Sequence, residues 1–477
     1  MRAMTRVTRR LTLTAALVAA VGVAAPPAVA TAAAITEPGR RTITGTIGGA
    51  DFRIELPHRW NGTLLLYSHG YLPEGFPSFG IGLTNRPSDR SETEAWLLDH
   101  GYAMAASQFA DGGFGYAVER GLRDQIALLD WFEDHVGVPG RTIATGQSMG
   151  AGIAVQLAER HPQRFAGVAA MCGAYDTQAL FNTGLDVLFA VRTLLAPGQD
   201  IDLVRPDDPA ADAQALTDAI QEALGTEQGR ARIALAAALN NVTGWYSAHE
   251  PRPTDPAERI GNQAEWLQYA YSLGFGPPGR LDLERRAAGN PSSNVGVDYR
   301  QQLVRSAQHP QVRQAYQAAG LDLRSDLDRL AGAPRIAADP AAVDYLLRVG
   351  VPSGRTPVPV VTMHTMGDGG APPHQERWYA DQVRRAGDPG KLRQLYVDRG
   401  GHCSFSAAEE ITMLRTLFTR IETGRWPDTG PRTMNETAGA LGEPYQLVLD
   451  LGRTFTDAAM PPVFTTFVPP RAMRPTR

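Results

Sequence analysis

The sequence predicts an α/β fold, a mostly parallel sheet with helices on both faces and one large helical insertion. Three observations predict it. From residue 42 to residue 175, short apolar or β-branched runs alternate with stretches of helical spacing. From 176 to 356 the alternation stops, and only helical segments and Pro- or Gly-rich connectors remain. From 357 to 424 it resumes, with two more strands and a closing helix. Strand alternating with helix gives a parallel sheet buried on both sides.

The elements follow in order. Residues 42–47 and 51–56 alternate around Gly48-Gly49 and read as a β-hairpin. Residues 63–67 form a continuous apolar run, as a strand buried on both faces requires, and end in Ser68-His69-Gly70-Tyr71. Residues 102–109 are the next strand. Residues 121–136 place Leu122, Ile126, Leu129 and Phe132 on one helical stripe. A strand at 141–145 runs into Gly146-Gln147-Ser148-Met149-Gly150, followed by a helix to His161 and a strand at 165–171. In the insertion the clearer helices are 212–224, 230–239, 262–273 and 341–349. Strands at 357–363 and 392–397 and a helix at 405–422 complete the second part of the core. Residues 425–477 form a C-terminal extension, with a strand at 445–451.

Composition narrows the function. Of 477 residues, 43% are hydrophobic and 20% charged, which allows a sizeable core, and the net charge is -4. Without a basic stripe, nucleic acid is not an expected partner. Residues 1–30 start with Arg2, Arg6, Arg9 and Arg10, continue with an apolar run from Leu11 to Ala25 and end in Ala28-Val29-Ala30. That order reads as an export signal, so a secreted protein beginning near Thr31 is expected. No other apolar stretch is long enough to span a bilayer, and the mature chain is expected to have no membrane span.

The strongest chemical signal is Gly146-Gln147-Ser148-Met149-Gly150 between a strand and a helix. A nucleophilic serine there needs a sharp turn that lifts its hydroxyl off the sheet, and side chains two residues to either side would clash. The helix that follows points its N-terminus at a developing anion. A serine at its free pKa also needs a base. His402, in Asp398-Arg399-Gly400-Gly401-His402-Cys403 after the last strand, is the choice. His364 lies within an apolar strand and reads as structural; His374, after Pro372-Pro373, is the best rival. Asp368, between Gly367 and Gly369, is the acid that orients the imidazole. The oxyanion donors are expected to be the backbone N–H groups of Met149 and Tyr71.

Ser-His-Gly-Tyr, Gly-Gln-Ser-Met-Gly, Met-Gly-Asp and Gly-Gly-His, in that order and on those elements, resemble the α/β-hydrolase superfamily over residues 42–175 and 357–424. The resemblance implies an eight-stranded, mostly parallel sheet with a lid between strands six and seven, here residues 176–356. A more distant resemblance is to feruloyl esterase and tannase-type enzymes, in which a disulfide joins a Cys beside the nucleophile to a Cys after the catalytic His. Here Gln147 replaces the first Cys. The resemblance then implies a Cys172–Cys403 bridge pinning the His402 loop.

The expected function is hydrolysis of a carboxylic ester, small or polymeric, through an acyl-enzyme. The alternative is a serine peptidase of the prolyl-oligopeptidase or tripeptidyl-aminopeptidase type, which would use the same residues; Glu250, Glu258 and Glu265 are too scattered to favour it. No metal-ligand spacing and no phosphate loop occur, so neither metal nor cofactor is expected. Two features of the insertion fit either a substrate pocket or packing. One is the stripe Phe181, Leu188, Phe189, Val191 and Leu194; the other is the aromatic run Trp245, Tyr246, Trp266, Tyr269 and Tyr271.

Overall fold

The structure, a computed structural model, describes residues 39–73 and 90–476. The expected export segment, residues 1–30, lies outside the described residues.

The strands are β1 (Arg41–Ile47), β2 (Ala50–Leu56), β3 (Thr63–Ser68), β4 (Ala103–Ser107), β5 (Arg141–Gln147), β6 (Gly167–Met171), β7 (Val360–Gly367), β8 (Leu392–Gly400), β9 (Leu447–Leu449), β10 (Asp457–Ala459) and β11 (Phe464–Thr465). The main sheet has the order β1-β2-β4-β3-β5-β6-β7-β8-β11. β3 to β8 are mutually parallel, while β1, β2 and β11 run antiparallel to their neighbours. β3 and β6 are buried along their whole length, as their unbroken apolar sequences require.

Among the described residues the main sheet has nine strands, one more than the eight expected. Without β11, the outer edge of β8 would present unpaired backbone groups, and the C-terminal extension covers it by pairing Phe464 with Val397 and Thr465 with Tyr396. The strand expected at 445–451 is shorter, Leu447–Leu449, and pairs with β10 in a separate two-stranded sheet.

The helices that flank the sheet are α1 (Ser91–Asp99), α2 (Val118–His135) and α3 (Met149–Arg160) from the first half. Between β6 and β7 come α4 (Thr177–Leu195), α5 (Pro209–Ala223), α6 (Glu227–Ala238), α7 (Pro256–Trp266), α8 (Pro277–Ala287), α9 (Tyr299–Arg305), α10 (His309–Ala318), α11 (Leu323–Gly332) and α12 (Pro340–Val349). The chain closes with α13 (His374–Ala386), α14 (Ala407–Thr423) and α15 (Pro431–Gly439).

α4 organises the insertion, packing on α5, α6, α11 and α12. The Asp176 side chain caps it by accepting the Ala179 N–H at 3.0 Å. Its stripe Phe181, Leu188, Phe189, Val191 and Leu194 is buried in the main core cluster. Each such side chain contributes about 1.5–3 kcal/mol on burial. The helix expected over 262–273 ends at Trp266 and continues as a wider π-helical segment, Leu267–Phe275, whose Ser272 hydroxyl donates back to Leu267 O at 3.0 Å. That wider turn buries Tyr271 and Phe275.

The C-terminal extension also straps the insertion. Arg474 donates to both carboxylate oxygens of Asp186 on α4, at 3.2 and 3.0 Å, and to Ser293 O at 2.8 Å. The Thr476 N–H donates to the α4 cap, Asp176, at 2.8 Å.

Candidate active site

Ser148 stands between β5 and α3 with φ 53° and ψ -121°, a left-handed conformation that costs a non-glycine residue on the order of 1–3 kcal/mol. Its neighbours force the turn. A Cβ on Gly146 would lie 2.3 Å from Gly150 O, and one on Gly150 would lie 2.0 Å from Ser68 O. The turn is latched to the end of β6: Ser148 N–H donates to Met171 O at 2.9 Å, and Ala174 N–H donates to Ser148 O at 3.2 Å.

His402 follows β8 on a loop that turns at Gly401, with φ 82°. Its Nδ1 lies 2.6 Å from Asp368 Oδ2 and its Nε2 lies 2.9 Å from Ser148 Oγ. A carboxylate only accepts, so Nδ1 carries the proton and Nε2 is left to accept from the serine hydroxyl. The structure thus brings together all three residues expected from the sequence, from three separate loops at the carboxyl ends of β5, β7 and β8. His374, the rival, is buried at the start of α13, outside this line.

Asp368 follows β7 and is fully buried. Its Oδ1 accepts the N–H groups of Gly370 and Ala371, each at 2.9 Å. Burial alone would push its carboxyl pKa up. Attraction from the neighbouring His402 and His364 rings outweighs burial, and the pKa is lowered. Trp266 covers this loop so closely that a Cβ on Gly369 would lie 2.5 Å from its ring. Of the aromatic run in the insertion, Trp245, Tyr246, Trp266 and Tyr271 are buried and Tyr269 is exposed.

Of the residues expected as oxyanion donors, Met149 directly follows Ser148 and Tyr71 lies in the loop after β3. Met149 is the first residue of α3, so its N–H belongs to the turn that has no partner inside the helix. Tyr71 follows Gly70, where an added Cβ would lie 3.3 Å from Ser148 Cβ. The Tyr71 ring lies 5.2 Å from that of Tyr116, which in turn meets Phe181 at 4.6 Å. His69 shapes the loop: its ring nitrogens bond Gly70 O and Gln108 O, and it stacks on Phe109.

Cys172 and Cys403 form the disulfide that the resemblance implies, with Cα atoms 5.3 Å apart. Cys403 adjoins His402, and Cys172 N–H is tied to Met363 O on β7 at 2.8 Å. The bridge therefore fixes the His402 loop to the sheet. The two sulfurs and His402 lie close enough to suggest a metal site, but the sulfurs are bonded to each other and leave one ligand.

Sequence reasoning missed two supports of these loops. Arg399, buried just before the His402 loop, makes two hydrogen bonds to Glu409, at 2.6 and 3.0 Å, and donates to Ser404 O at 2.9 Å. Ser406 and Glu409 form a capping box at the start of α14; the S-x-x-E spacing was its visible signal. The second is His364, whose ring touches both Asp368 and Glu376.

A family-model match agrees with this architecture. The family model described as the alpha/beta hydrolase fold matches residues 80–406. An o-phthalyl amidase of Xanthobacter agilis is 29% identical over 420 residues, covering 82% of this chain and 89% of that protein. Among solved structures, an esterase from Aspergillus oryzae aligns at 12% identity with a TM-score of 0.40, covering 89% of this chain and 85% of that one. Feruloyl esterase B from Aspergillus oryzae aligns at 13% identity with a TM-score of 0.41, covering 82% and 81%. With a family match across most of its length, the chain belongs to the α/β-hydrolase fold family.

Proposed function

We propose that the protein is a secreted serine hydrolase that cleaves a carboxylic ester through an acyl-enzyme. The observation that carries this reading is the line Ser148 Oγ, His402, Asp368, with contacts of 2.9 and 2.6 Å on a strained turn. In this mechanism His402 takes the Ser148 proton as the hydroxyl attacks the acyl carbon. Asp368 keeps the imidazole in the required tautomer and stabilises its positive charge. The N–H groups of Met149 and Tyr71 receive the oxyanion at the positive end of α3. His402 returns the proton to the leaving group, and water repeats the sequence to free the acid.

Residues 176–356 act as the lid. Its support is the packing of Trp266 on the Asp368 loop and of Gly274 and Gly279 against the Tyr71 ring. That packing lets the insertion shape the acyl pocket and exclude water from the Asp368–His402 pair. Export is supported by the order of charge, apolar run and small-residue site in residues 1–30; an N-terminus near Thr31 in protein recovered from culture medium is the expected result, and an intact N-terminus would oppose it.

Amide cleavage is a second reading, favoured by the o-phthalyl amidase relative, and a phthalyl amide belongs among the first substrates tried. The peptidase reading is weaker. Glu250 and Glu265, which would have to receive a peptide amino group, are both bound to Arg453. The test is a panel of p-nitrophenyl acyl esters, a phthalyl amide and aminoacyl p-nitroanilides, with wild type and Ser148→Ala. Ester turnover that disappears in Ser148→Ala is expected. Anilide turnover dominating would transfer the reading to peptidase, and turnover surviving in Ser148→Ala would overturn the mechanism.

A further inference from the structure

Behind Asp368 lies a second histidine with no part in the mechanism above. His364, on β7, is completely buried. Its Nε2 lies 2.8 Å from Ala371 O and 3.3 Å from Asp368 Oδ2. Its Nδ1 lies 3.1 Å from Glu376 Oε1, on α13. Every group facing the two ring nitrogens is thus an acceptor, and two of the three are carboxylate oxygens. A neutral imidazole would turn a lone pair toward one of them.

Glu376 has its own donors. Its Oε2 accepts from Thr362 Oγ1 and from Gln394 Nε2, each at 2.6 Å, and its Oε1 from the Tyr175 hydroxyl at 3.4 Å. Such a set suits an anion, and an anion there needs the cation that His364 supplies.

We propose that His364 is a positioning residue, an imidazolium held between Asp368 and Glu376 that fixes the Asp368 carboxylate and opposes a second positive charge on His402. The proposal rests on reading Ser148, His402 and Asp368 as the reacting array. Asp368 receives three donors, the backbone N–H groups of Gly370 and Ala371 on Oδ1 and His402 on Oδ2, and the His364 ring lies 3.3 Å from Oδ2 as an ion-pair partner. With both oxygens occupied the carboxylate cannot rotate away from His402.

The other groups packed around this centre agree. Burial alone would lower the His364 pKa, but the hydrogen bonds and charges of Asp368 and Glu376 raise it to about 10. His374, the first residue of α13 and in the same turn as Glu376, is lowered to about 3 by burial and by the charge of His364. Tyr175, Tyr379 and Tyr396 approach Glu376 from the β6–α4 turn, α13 and β8; burial first, then Glu376 for Tyr175 and Tyr396 and Glu159 ahead of Glu376 for Tyr379, raise all three, which keeps them neutral. His364 is therefore the cation of the cluster, and no neighbour competes for its proton.

The test is kcat/KM against pH for wild type, His364→Gln and His364→Val, on whichever chromogenic ester is turned over. His364→Gln keeps a donor at this position and loses the charge. Its acidic limb should move up by roughly one pH unit, with KM little changed. His364→Val should lose kcat as well. Folded variants whose profiles overlay wild type would overturn the proposal. Where neither variant folds, the wild-type protein with 15N-labelled histidine still decides. One of its ten histidines should keep both ring nitrogens protonated at about pH 8, well above the ordinary value. Absence of such a ring would overturn the proposal. Loss of activity in Ser148→Ala together with an unshifted His364→Gln would sink this inference alone, whereas activity persisting in Ser148→Ala would sink the array on which it rests.

Discussion

The two ends of the Ser148–His402–Asp368 line are built by different means. At the serine end the work is done by backbone: two glycines, a left-handed φ, and main-chain hydrogen bonds to β6. At the acid end it is done by side chains, with Asp368, His364 and Glu376 buried in one network and the Arg399–Glu409 pair and the Cys172–Cys403 bridge beside it. A backbone device depends on residue types at fixed neighbouring positions. A side-chain network joins residues far apart in sequence, such as Glu376 and Gln394, and tolerates no single missing member.

Predictions that probe this contrast run from large to small. Asp368→Asn should leave the turn at Ser148 intact but lower kcat by roughly 10^4-fold, because the imidazole then adopts the wrong tautomer. A loss smaller than tenfold would show that the acid end is dispensable. Arg474→Met should cost about 3–5 kcal/mol in denaturant unfolding, since it leaves Asp186 buried and uncompensated beneath the C-terminal strap. An unchanged unfolding midpoint would mean the strap does not secure α4. Replacing both cysteines by serine should cost about 2–5 kcal/mol and lower kcat through the freed His402 loop; a stability loss with unchanged kcat would separate the bridge from the site.

The dependence of Tm on pH probes two histidines of the acid end directly. The folded chain holds His374 near 3, below its ordinary 6.5, so the unfolded chain binds the extra proton and stability falls as pH drops below about 6.5. The folded chain holds His364 near 10, so it binds the extra proton above 6.5. The stability His364 adds is complete below about 6.5 and is lost as pH rises toward 10. The two together predict a Tm maximum near 6.5. His374→Gln should flatten the acidic side and His364→Gln the alkaline side. A Tm that climbs steadily through that range would contradict both assignments.

The same contrast explains what was legible in the sequence. The strand–turn–helix around Ser148 could be read because the steric demands on Gly146 and Gly150 are local. His402 and Asp368 could be read because glycines mark the loops at the ends of β7 and β8. His364 was visible only as a histidine in an apolar strand, and nothing nearby in sequence announced Glu376 as its partner. β11 was invisible for a related reason: two residues of the extension, Phe464 and Thr465, become a strand only because β8 offers an open edge. The π-helical widening after Trp266 likewise continues a helical pattern in the sequence, and its wider turns bury Tyr271 and Phe275.

The most direct test of the central claim is labelling with a fluorophosphonate, followed by peptide mass mapping of wild type and His402→Ala. The account predicts one adduct per chain, on the peptide carrying Ser148, formed quickly in wild type and barely in His402→Ala. An adduct on another serine, or equal labelling in the two proteins, would contradict it.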